Sequence, residues 1–172
     1  MKTRRLVVES LAVVSMLSLA ACSSGSASGP PSDDPSASGS PAAVVATIYG
    51  QGEPPNAPGQ VLTQYHVTVP PGAAIAPHQH PGMQIGRVTS GELTYTVDKG
   101  AVTVFDGTAS PGGTVASKQV AAPATITLTP GTTISEREGM VHQAKNNGSQ
   151  PVELDLSIIT PKGEPLSIPE KP

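Results

Sequence analysis

The dominant pattern along the chain is a period of two. Between residues 61 and 69, one set of alternating positions holds Val61, Thr63, Tyr65, Val67 and Val69, and the other set is mostly polar. Because successive side chains of a strand point to opposite faces of a sheet, this pattern predicts a half-buried strand. Beyond the first 21 residues, no segment has a convincing helical period of 3.6 residues.

Other segments rich in Val, Ile, Thr and Leu are also predicted to be strands. They are residues 85–88, 92–97, 101–105, 124–129 and 152–160. Turn signals rich in Gly, Pro, Asp and Asn separate them. One of these, Asp98-Lys99-Gly100, predicts a tight hairpin. The polar segment 108–120 predicts a surface loop. Many short strands favour an all-β fold, either a closed barrel or a two-sheet jelly roll.

Composition narrows the function classes. The formal net charge is −3, and three of the basic residues (Lys2, Arg4 and Arg5) lie at the N-terminus. The rest of the chain is therefore more acidic, which argues against nucleic-acid binding. The single Cys excludes an internal disulfide and a Cys-based zinc cluster. With no Trp and few other aromatic residues, stacking platforms for bases or sugars are not expected.

The N-terminus has the features of an export signal. A positively charged segment, residues 1–5, precedes an apolar stretch, residues 6–21, that is too short and too interrupted for a membrane span of ~20 residues. It ends in Leu19-Ala20-Ala21-Cys22, which resembles the lipobox of bacterial lipoproteins. In that family the signal is cleaved before the Cys, whose thiol carries a diacylglyceryl group. Residues 1–21 are therefore predicted to be a cleaved signal peptide. An ordinary secretory signal with a chance Cys, or a buried core Cys, is the alternative.

A spacer follows Cys22. Residues 23–41 consist only of Ser, Pro, Gly, Ala and Asp. Such a segment cannot bury apolar area and is predicted to be a disordered linker. We expect an acylated Cys and linker over 22–41, and a folded domain over 42–172. The expected location is extracytoplasmic, in the cell envelope, anchored to a bacterial membrane by the lipid. NAD(P) or ATP chemistry is not expected there, and the sequence has no Gly-rich phosphate loop.

The candidate chemistry lies in three of the four histidines. His78 and His80 are two residues apart, a spacing that places both imidazoles on the same face of a strand. They stand in the pattern Gly72-x5-His78-x-His80-x3-Gln84-x6-Gly91. A second block reads Gly131-x5-Arg137-x-Gly139-x2-His142-x3-Asn146.

These two blocks resemble the two motifs of the cupin superfamily. The family has Glu where this chain has Gln84, and Pro where it has Arg137; the other motif positions match. The resemblance is to a single-domain, type 2-like cupin, here carried on a lipoprotein. It implies a small jelly-roll β-barrel with a metal inside its mouth. The ligands implied are His78, His80, His142 and, at the position of the family's Glu, Gln84.

The donor set has its own chemical consequences. Three neutral imidazoles suit one divalent transition metal ion, such as Fe, Mn, Ni, Cu or Zn. His142 would come from a different strand and converge on the same point. Gln84 can offer its amide oxygen but cannot take a proton. A site of three His and Gln would keep the full charge of the ion and so favour anionic or enolate-like ligands.

The residues of these blocks, and some polar and aromatic residues outside them, also have simpler interpretations. His78 and His80 could be exposed on an edge strand, with His142 in a turn, and Gln84 could be a hydrogen-bonding residue of the lumen. His66 is expected on the polar face of its strand, solvated or at the pocket rim. The charged run 136–138 is expected in a solvated loop, and Asn146 in a turn. Tyr65, Tyr95 and Phe105 are expected to line the core or the pocket.

Three functions remain open at this point. The first is a membrane-anchored metal-binding protein whose small-molecule pocket, in the barrel mouth, would favour an anionic ligand. The second is a metal-dependent dioxygenase or isomerase acting on an enolisable small molecule, since similar proteins use three-His sites in this way. The third is a metal-free structural or ligand-binding barrel. Relatives often pair edge strands into dimers, and the sequence leaves a homodimer open.

Overall fold

A computed structural model describes residues 42–106 and 115–171 of the chain. The predicted signal peptide, Cys22 and the linker lie outside these ranges, as do residues 107–114 of the predicted surface loop. Over the described ranges every regular element is a strand, so none of them is a helix that could cross a membrane.

The described part of the chain forms twelve strands. In chain order they are β1 (Val45–Gly52), β2 (Gln60–Val69), β3 (Ala74–Gln79), β4 (Met83–Ser90), β5 (Leu93–Lys99), β6 (Ala101–Phe105), β7 (Ser117–Ala121), β8 (Ala124–Leu128), β9 (Thr133–Glu136), β10 (Val141–Lys145), β11 (Val152–Pro161) and β12 (Ile168–Pro169).

These strands make two antiparallel sheets. The seven-stranded sheet has the order β1-β2-β11-β4-β9-β6-β7, and the five-stranded sheet has the order β12-β3-β10-β5-β8. The predicted all-β class is therefore confirmed. The predicted barrel is not closed. Among the described strands, the edge strands β1 and β7 do not pair with each other, and neither do β12 and β8. The sheets are held together by side-chain packing and not by a continuous ring of hydrogen bonds.

The core follows from alternation on the longest strands. On β2 the predicted inward set is correct: Thr63, Tyr65 and Val69 are buried, and Val67 is half-buried. On β11 every second residue from Val152 to Thr160 is buried. Burying a Val or Leu side chain stabilises the fold by about 1.5–3 kcal/mol relative to leaving it exposed, so this inward set carries much of the stability.

Two local predictions were wrong. Asp98-Lys99-Gly100 does not make a hairpin: β5 lies in the five-stranded sheet and β6 in the seven-stranded one, so the turn carries the chain from one sheet to the other. Residues 117–120, predicted as loop, belong to β7, which pairs with β6 at the sheet edge. A polar edge strand exposed on one side resembles a loop in composition.

The turns of the two sequence blocks show why glycine stands there. Gly91 has a φ of +72°, and a Cβ added to it would lie 2.7 Å from the Pro151 carbonyl oxygen. An L side chain is therefore excluded by both strain and space. Asn146 is confirmed as a turn residue, since its amide donates to the carbonyls of Val69 and Gln150 and its oxygen accepts from the Gly148 amide.

Candidate metal centre

Three histidines meet between the two sheets. His78 lies near the end of β3, His80 one residue beyond it, and His142 on β10 directly opposite His78 in the antiparallel register. One ring nitrogen from each lies within 4.8 Å of the other two. Two metal–nitrogen bonds of about 2.1 Å together span at most about 4.2 Å, so nitrogens within 4.8 Å of one another are close to the spacing of ligands that share an ion.

Backbone carbonyls orient two of the rings. The Nδ1 of His78 lies 2.8 Å from the Ala76 carbonyl oxygen, and the Nδ1 of His80 lies 2.6 Å from that of Leu166. A carbonyl oxygen can only accept, so each Nδ1 carries the proton and each Nε2 has a lone pair, which in His80 accepts a hydrogen bond from the Gln84 amide. This is the arrangement by which proteins orient metal-binding histidines.

His142 completes the group from the neighbouring strand β10. Its Nε2 lies 3.3 Å from a Glu136 oxygen, and its Nδ1 is buried, with no hydrogen-bond partner among the described residues. Imidazole nitrogens are common donors to divalent transition metals. The three-His group therefore fits a divalent transition metal by position and by donor chemistry.

Gln84 also lies in the centre, on β4. Its Nε2 donates to a Glu136 oxygen and lies 3.1 Å from the Nε2 of His80, while its Oε1 accepts from the Tyr65 hydroxyl. In this orientation the amide nitrogen faces the imidazoles. Turning the amide over would set its oxygen against the Glu136 carboxylate. That Gln84 binds the metal through its amide oxygen therefore stays a prediction.

Glu136 is the site residue that sequence reasoning missed. We expected it in a solvated loop, and this was wrong: it lies on β9 and is 1% exposed, whereas Arg137 and Glu138 are exposed. β9 pairs with β4, which places Glu136 directly beside Gln84. One signal could have revealed it, because Glu136 follows the apolar Ile134 by two positions and so shares its face of a strand.

Contacts hold the Glu136 carboxylate in place. Its Oε1 accepts from the Tyr95 hydroxyl at 2.6 Å and lies 3.3 Å from His142 Nε2. Its Oε2 accepts from Gln84 and lies 3.4 Å from His80 Nε2. Each oxygen therefore has a hydrogen-bond donor on one side and an imidazole nitrogen on the other.

These contacts set the protonation states. Burial by itself would raise the pKa of Glu136, but His142, His80 and the Tyr95 hydroxyl outweigh it and hold the pKa at about 2. Burial, reinforced by the Glu136 charge, raises the pKa of Tyr65 and Tyr95, so both phenols stay protonated donors. The centre therefore combines one carboxylate with two phenol donors at neutral pH.

The imidazoles respond to the same two influences. Burial lowers the pKa of His142 to about 4 against the pull of Glu136, and burial also lowers the pKa of His78. For His80 burial acts in the same direction, but the nearby Glu136 carboxylate outweighs it and raises the pKa. His78 and His142 are thus neutral at pH 7, as metal ligands must be.

A cavity of about 200 Å³ adjoins the three histidines. Its walls are mostly apolar and include Val67, Leu93, Leu154 and Leu156, with the Tyr65 and Tyr95 rings near the imidazoles. Pockets for drug-sized ligands usually span ~300–1,000 Å³, so this one suits a smaller molecule. A larger open groove of about 530 Å³ elsewhere is lined by parts of β1, β2 and residues 160–166 and contains the exposed Glu53–Lys162 pair, but none of the three histidines.

His66 lies outside the centre, as predicted. It is on the outward, mostly polar face of β2, where Nε2 lies 2.6 Å from Glu153 Oε2 and Nδ1 lies 2.8 Å from Asp155 Oδ1. Hydrogen bonds from Asp155 and Glu153 raise its pKa, and burial opposes them only in part.

Comparisons with known proteins agree with the sequence motifs. A family model described as a cupin domain matches residues 65–109, a segment that contains His78, His80 and Gln84 but not His142. This match supports the cupin superfamily. None of the proteins with curated descriptions matches the chain.

Solved structures with similar folds include several cupins. A cupin superfamily protein from Desulfitobacterium hafniense is 11% identical, with 71% of this chain and 82% of that one covered and a TM-score of 0.47. A cupin 2 domain-containing protein from Halorhodospira halophila is 15% identical, with 74% and 70% covered and a TM-score of 0.48. Oxalate decarboxylase from Lactobacillus farciminis is 16% identical, with 63% and 26% covered and a TM-score of 0.41.

Proposed function

We propose that this chain binds one divalent transition metal ion through His78, His80 and His142 and presents that ion to a small molecule in the adjoining cavity. The observation that supports the proposal most strongly is the convergence of three ring nitrogens within 4.8 Å of one another. The bound metal would supply Lewis acidity and a coordination position for the ligand.

The cavity indicates the kind of ligand. Apolar side chains form most of its wall, whereas the polar groups are gathered at the histidine end. A molecule with a short apolar body and one anionic or enolisable head group would match both ends. Tyr65 and Tyr95 stay protonated, so their hydroxyls keep Gln84 and Glu136 oriented while the ligand is bound.

Binding without turnover is favoured over catalysis. A general base works best when its pKa lies near the operating pH, whereas the neighbouring imidazoles and the Tyr95 hydroxyl hold the pKa of Glu136 below its ordinary range. Gln84 has no titratable group, and the histidines are assigned to the metal. A dioxygenase or isomerase acting on an enolisable molecule is the second candidate, because the cavity lets a small organic ligand reach the histidines.

The test is metal content. Full-length protein, dialysed and then reconstituted separately with Fe²⁺, Mn²⁺, Ni²⁺, Cu²⁺ and Zn²⁺, should retain up to one ion per chain with at least one of these metals. Retention by none of the five would defeat the proposal. For the enzymatic candidate, the loaded forms can be assayed for O₂ uptake and isomerisation with diketones, flavonols, thiols and catechols. No turnover by any form would leave the binding function.

We also propose that Cys22 carries a lipid and that the domain faces the extracytoplasmic side of a bacterial membrane. The support is the Leu19-Ala20-Ala21-Cys22 sequence and the spacer of residues 23–41. In a bacterial host fed an alkyne-labelled fatty acid, the full-length protein should take up the label and partition into membranes. Cys22→Ala should take up none, and equal labelling of both proteins would contradict the proposal.

A further inference from the structure

The centre contains a carboxylate at a position that the two sequence blocks do not specify. Within the first block, the residue beside the histidines on β4 is Gln84, which carries no charge. The neighbouring strand β9 brings Glu136 to the same place, directly across from Gln84 in the register. The negative charge is thus present in the centre but comes from the adjacent strand.

From these contacts we infer that Glu136 is the anionic ligand of the metal bound by His78, His80 and His142. This inference rests on the proposed function. It assigns the fourth protein ligand to Glu136 and leaves Gln84 the role of holding that carboxylate.

Distances to the imidazoles support a ligand position. Glu136 oxygens lie 3.3 Å from His142 Nε2 and 3.4 Å from His80 Nε2. Charge-assisted N–H···O hydrogen bonds are usually about 2.7–2.9 Å long, so these contacts are too long for strong hydrogen bonds. They match the edge of a coordination polyhedron, because two ligand atoms with bonds of about 2.1 Å lie about 3.0–3.4 Å apart at octahedral to tetrahedral angles.

The remaining contacts leave each oxygen free to coordinate. Tyr95 donates to Oε1 and Gln84 donates to Oε2. A carboxylate oxygen has two lone pairs, so each oxygen keeps one on the side of the imidazoles. These donors also satisfy a carboxylate that is almost completely buried, where an unpaired charge would strongly destabilise the fold.

The choice of Gln at position 84 follows from the same geometry. A second carboxylate there would face Glu136 at hydrogen-bond distance and repel it, whereas an amide donates to it. Gln84 and Glu136 thus form a pair in which one strand supplies the charge and the other orients it.

The test compares metal affinity in full-length variants, measured by competition with a chromophoric chelator. Glu136→Gln should weaken affinity by more than about 100-fold, because carboxylates that only hydrogen-bond to ligands already cost about 10–100-fold when removed. Tyr95→Phe, the matched control, removes one hydrogen bond to Glu136 and should weaken it by about 10-fold. The visible spectrum of the Co²⁺-loaded protein should change in Glu136→Gln and remain nearly unchanged in Tyr95→Phe.

A double variant distinguishes the loss of a metal ligand from misfolding. Gln84→Glu combined with Glu136→Gln keeps one carboxylate and one amide but exchanges their strands, and it should bind metal at least 10-fold more tightly than Glu136→Gln alone. The inference is overturned if Glu136→Gln keeps wild-type affinity and Co²⁺ spectrum, or if the swap restores nothing in a folded protein. The three-His proposal survives that result, and fails only if the wild type itself binds no metal.

Discussion

Histidine meets carboxylates at two places in this protein, and the two clusters have opposite properties. In the centre between the sheets, ring nitrogens of His78 and His80 donate to backbone carbonyls, and Glu136 lies more than 3.2 Å from the nearest imidazole nitrogens. On the outer face, both ring nitrogens of His66 lie within 2.8 Å of carboxylate oxygens.

The two clusters differ in whether a ring nitrogen keeps a lone pair that could bind a metal. Two carboxylate partners favour the doubly protonated ring, so the pKa of His66 is raised and no lone pair remains for a metal. Carbonyl partners fix one proton and leave one lone pair, and burial lowers the pKa of His142 to about 4. The same residue types therefore make an ion pair at the surface and a candidate ligand set inside.

The largest expected effect is on metal content, which should depend on the buried histidine cluster and not on the surface one. His142→Ala should reduce bound metal from about one ion per chain to essentially none after dialysis, because it removes one of the three imidazoles and the ligand that lies beside Glu136. His66→Ala, the matched control, should retain wild-type metal content. Elemental analysis of both proteins checks this, and equal loss in the two variants would remove the distinction between the clusters.

A second buried carboxylate in the centre should destabilise the fold. Gln84→Glu alone places two buried carboxylates in contact, and in chelator we expect a loss of about 3 kcal/mol in the free energy of unfolding at pH 8. The pKa of the added carboxyl would be raised in the folded state. The loss in the free energy of unfolding should therefore grow as the pH rises above about 4.3, the ordinary pKa of Glu. It should stop growing once the pH exceeds the pKa of the added carboxyl in the folded state.

Urea unfolding of the same variant at pH 5 and pH 8 measures that difference. Gln84→Leu is the control, since it removes the donor to Glu136 without adding charge. A penalty that is equal at both pH values would show that repulsion is not its cause.

The C-terminal segment should have a moderate effect on metal affinity. The Leu166 carbonyl orients His80, and β12 pairs with β3 beside His78. A chain ending at Pro165 should lose about 10–100-fold in metal affinity, as expected when a partner that orients a ligand is removed. Circular dichroism of the truncated protein should show intact sheets. Unchanged affinity in that protein would mean that His80 needs no such support.

The smallest effect belongs to the surface cluster. Because the folded pKa of His66 is raised, its ion pairs stabilise the fold fully below about pH 6.5 and less as the pH rises through the folded pKa. His66→Gln should lower the Tm by roughly 1–4 °C at pH 5.5, and the difference should shrink at pH 9. A difference that grows with pH would reverse the assigned charge state.

The sequence was most informative where inward positions are apolar. Segment 101–105 was predicted with the bounds of β6, and 152–160 falls one residue short of β11. Alternating Val, Leu and Ile identified these strands because the same side chains fill the core. No bounds were predicted for β3, β9 and β10, since they turn His78, Glu136 and His142 inward and so break the apolar alternation.

The centre was partly predictable for a related reason. The spacing of His78, His80 and His142 within the two motifs indicated a shared site before any geometry was known. Glu136 could not be paired with Gln84 from the chain alone, because their contact depends on the register between β4 and β9, residues about 50 apart in sequence. The hydrogen bond from His80 to Leu166 depends on a similarly distant contact.

Metal titration of the full-length protein tests the central claim most directly. Isothermal calorimetry should show one site per chain for at least one of the five candidate ions in the wild type. His66→Ala should have the same site, and His142→Ala should have none. Heat of binding at one site in His142→Ala, with the wild-type affinity, would mean that the ion is held elsewhere and that the buried imidazoles are not its ligands.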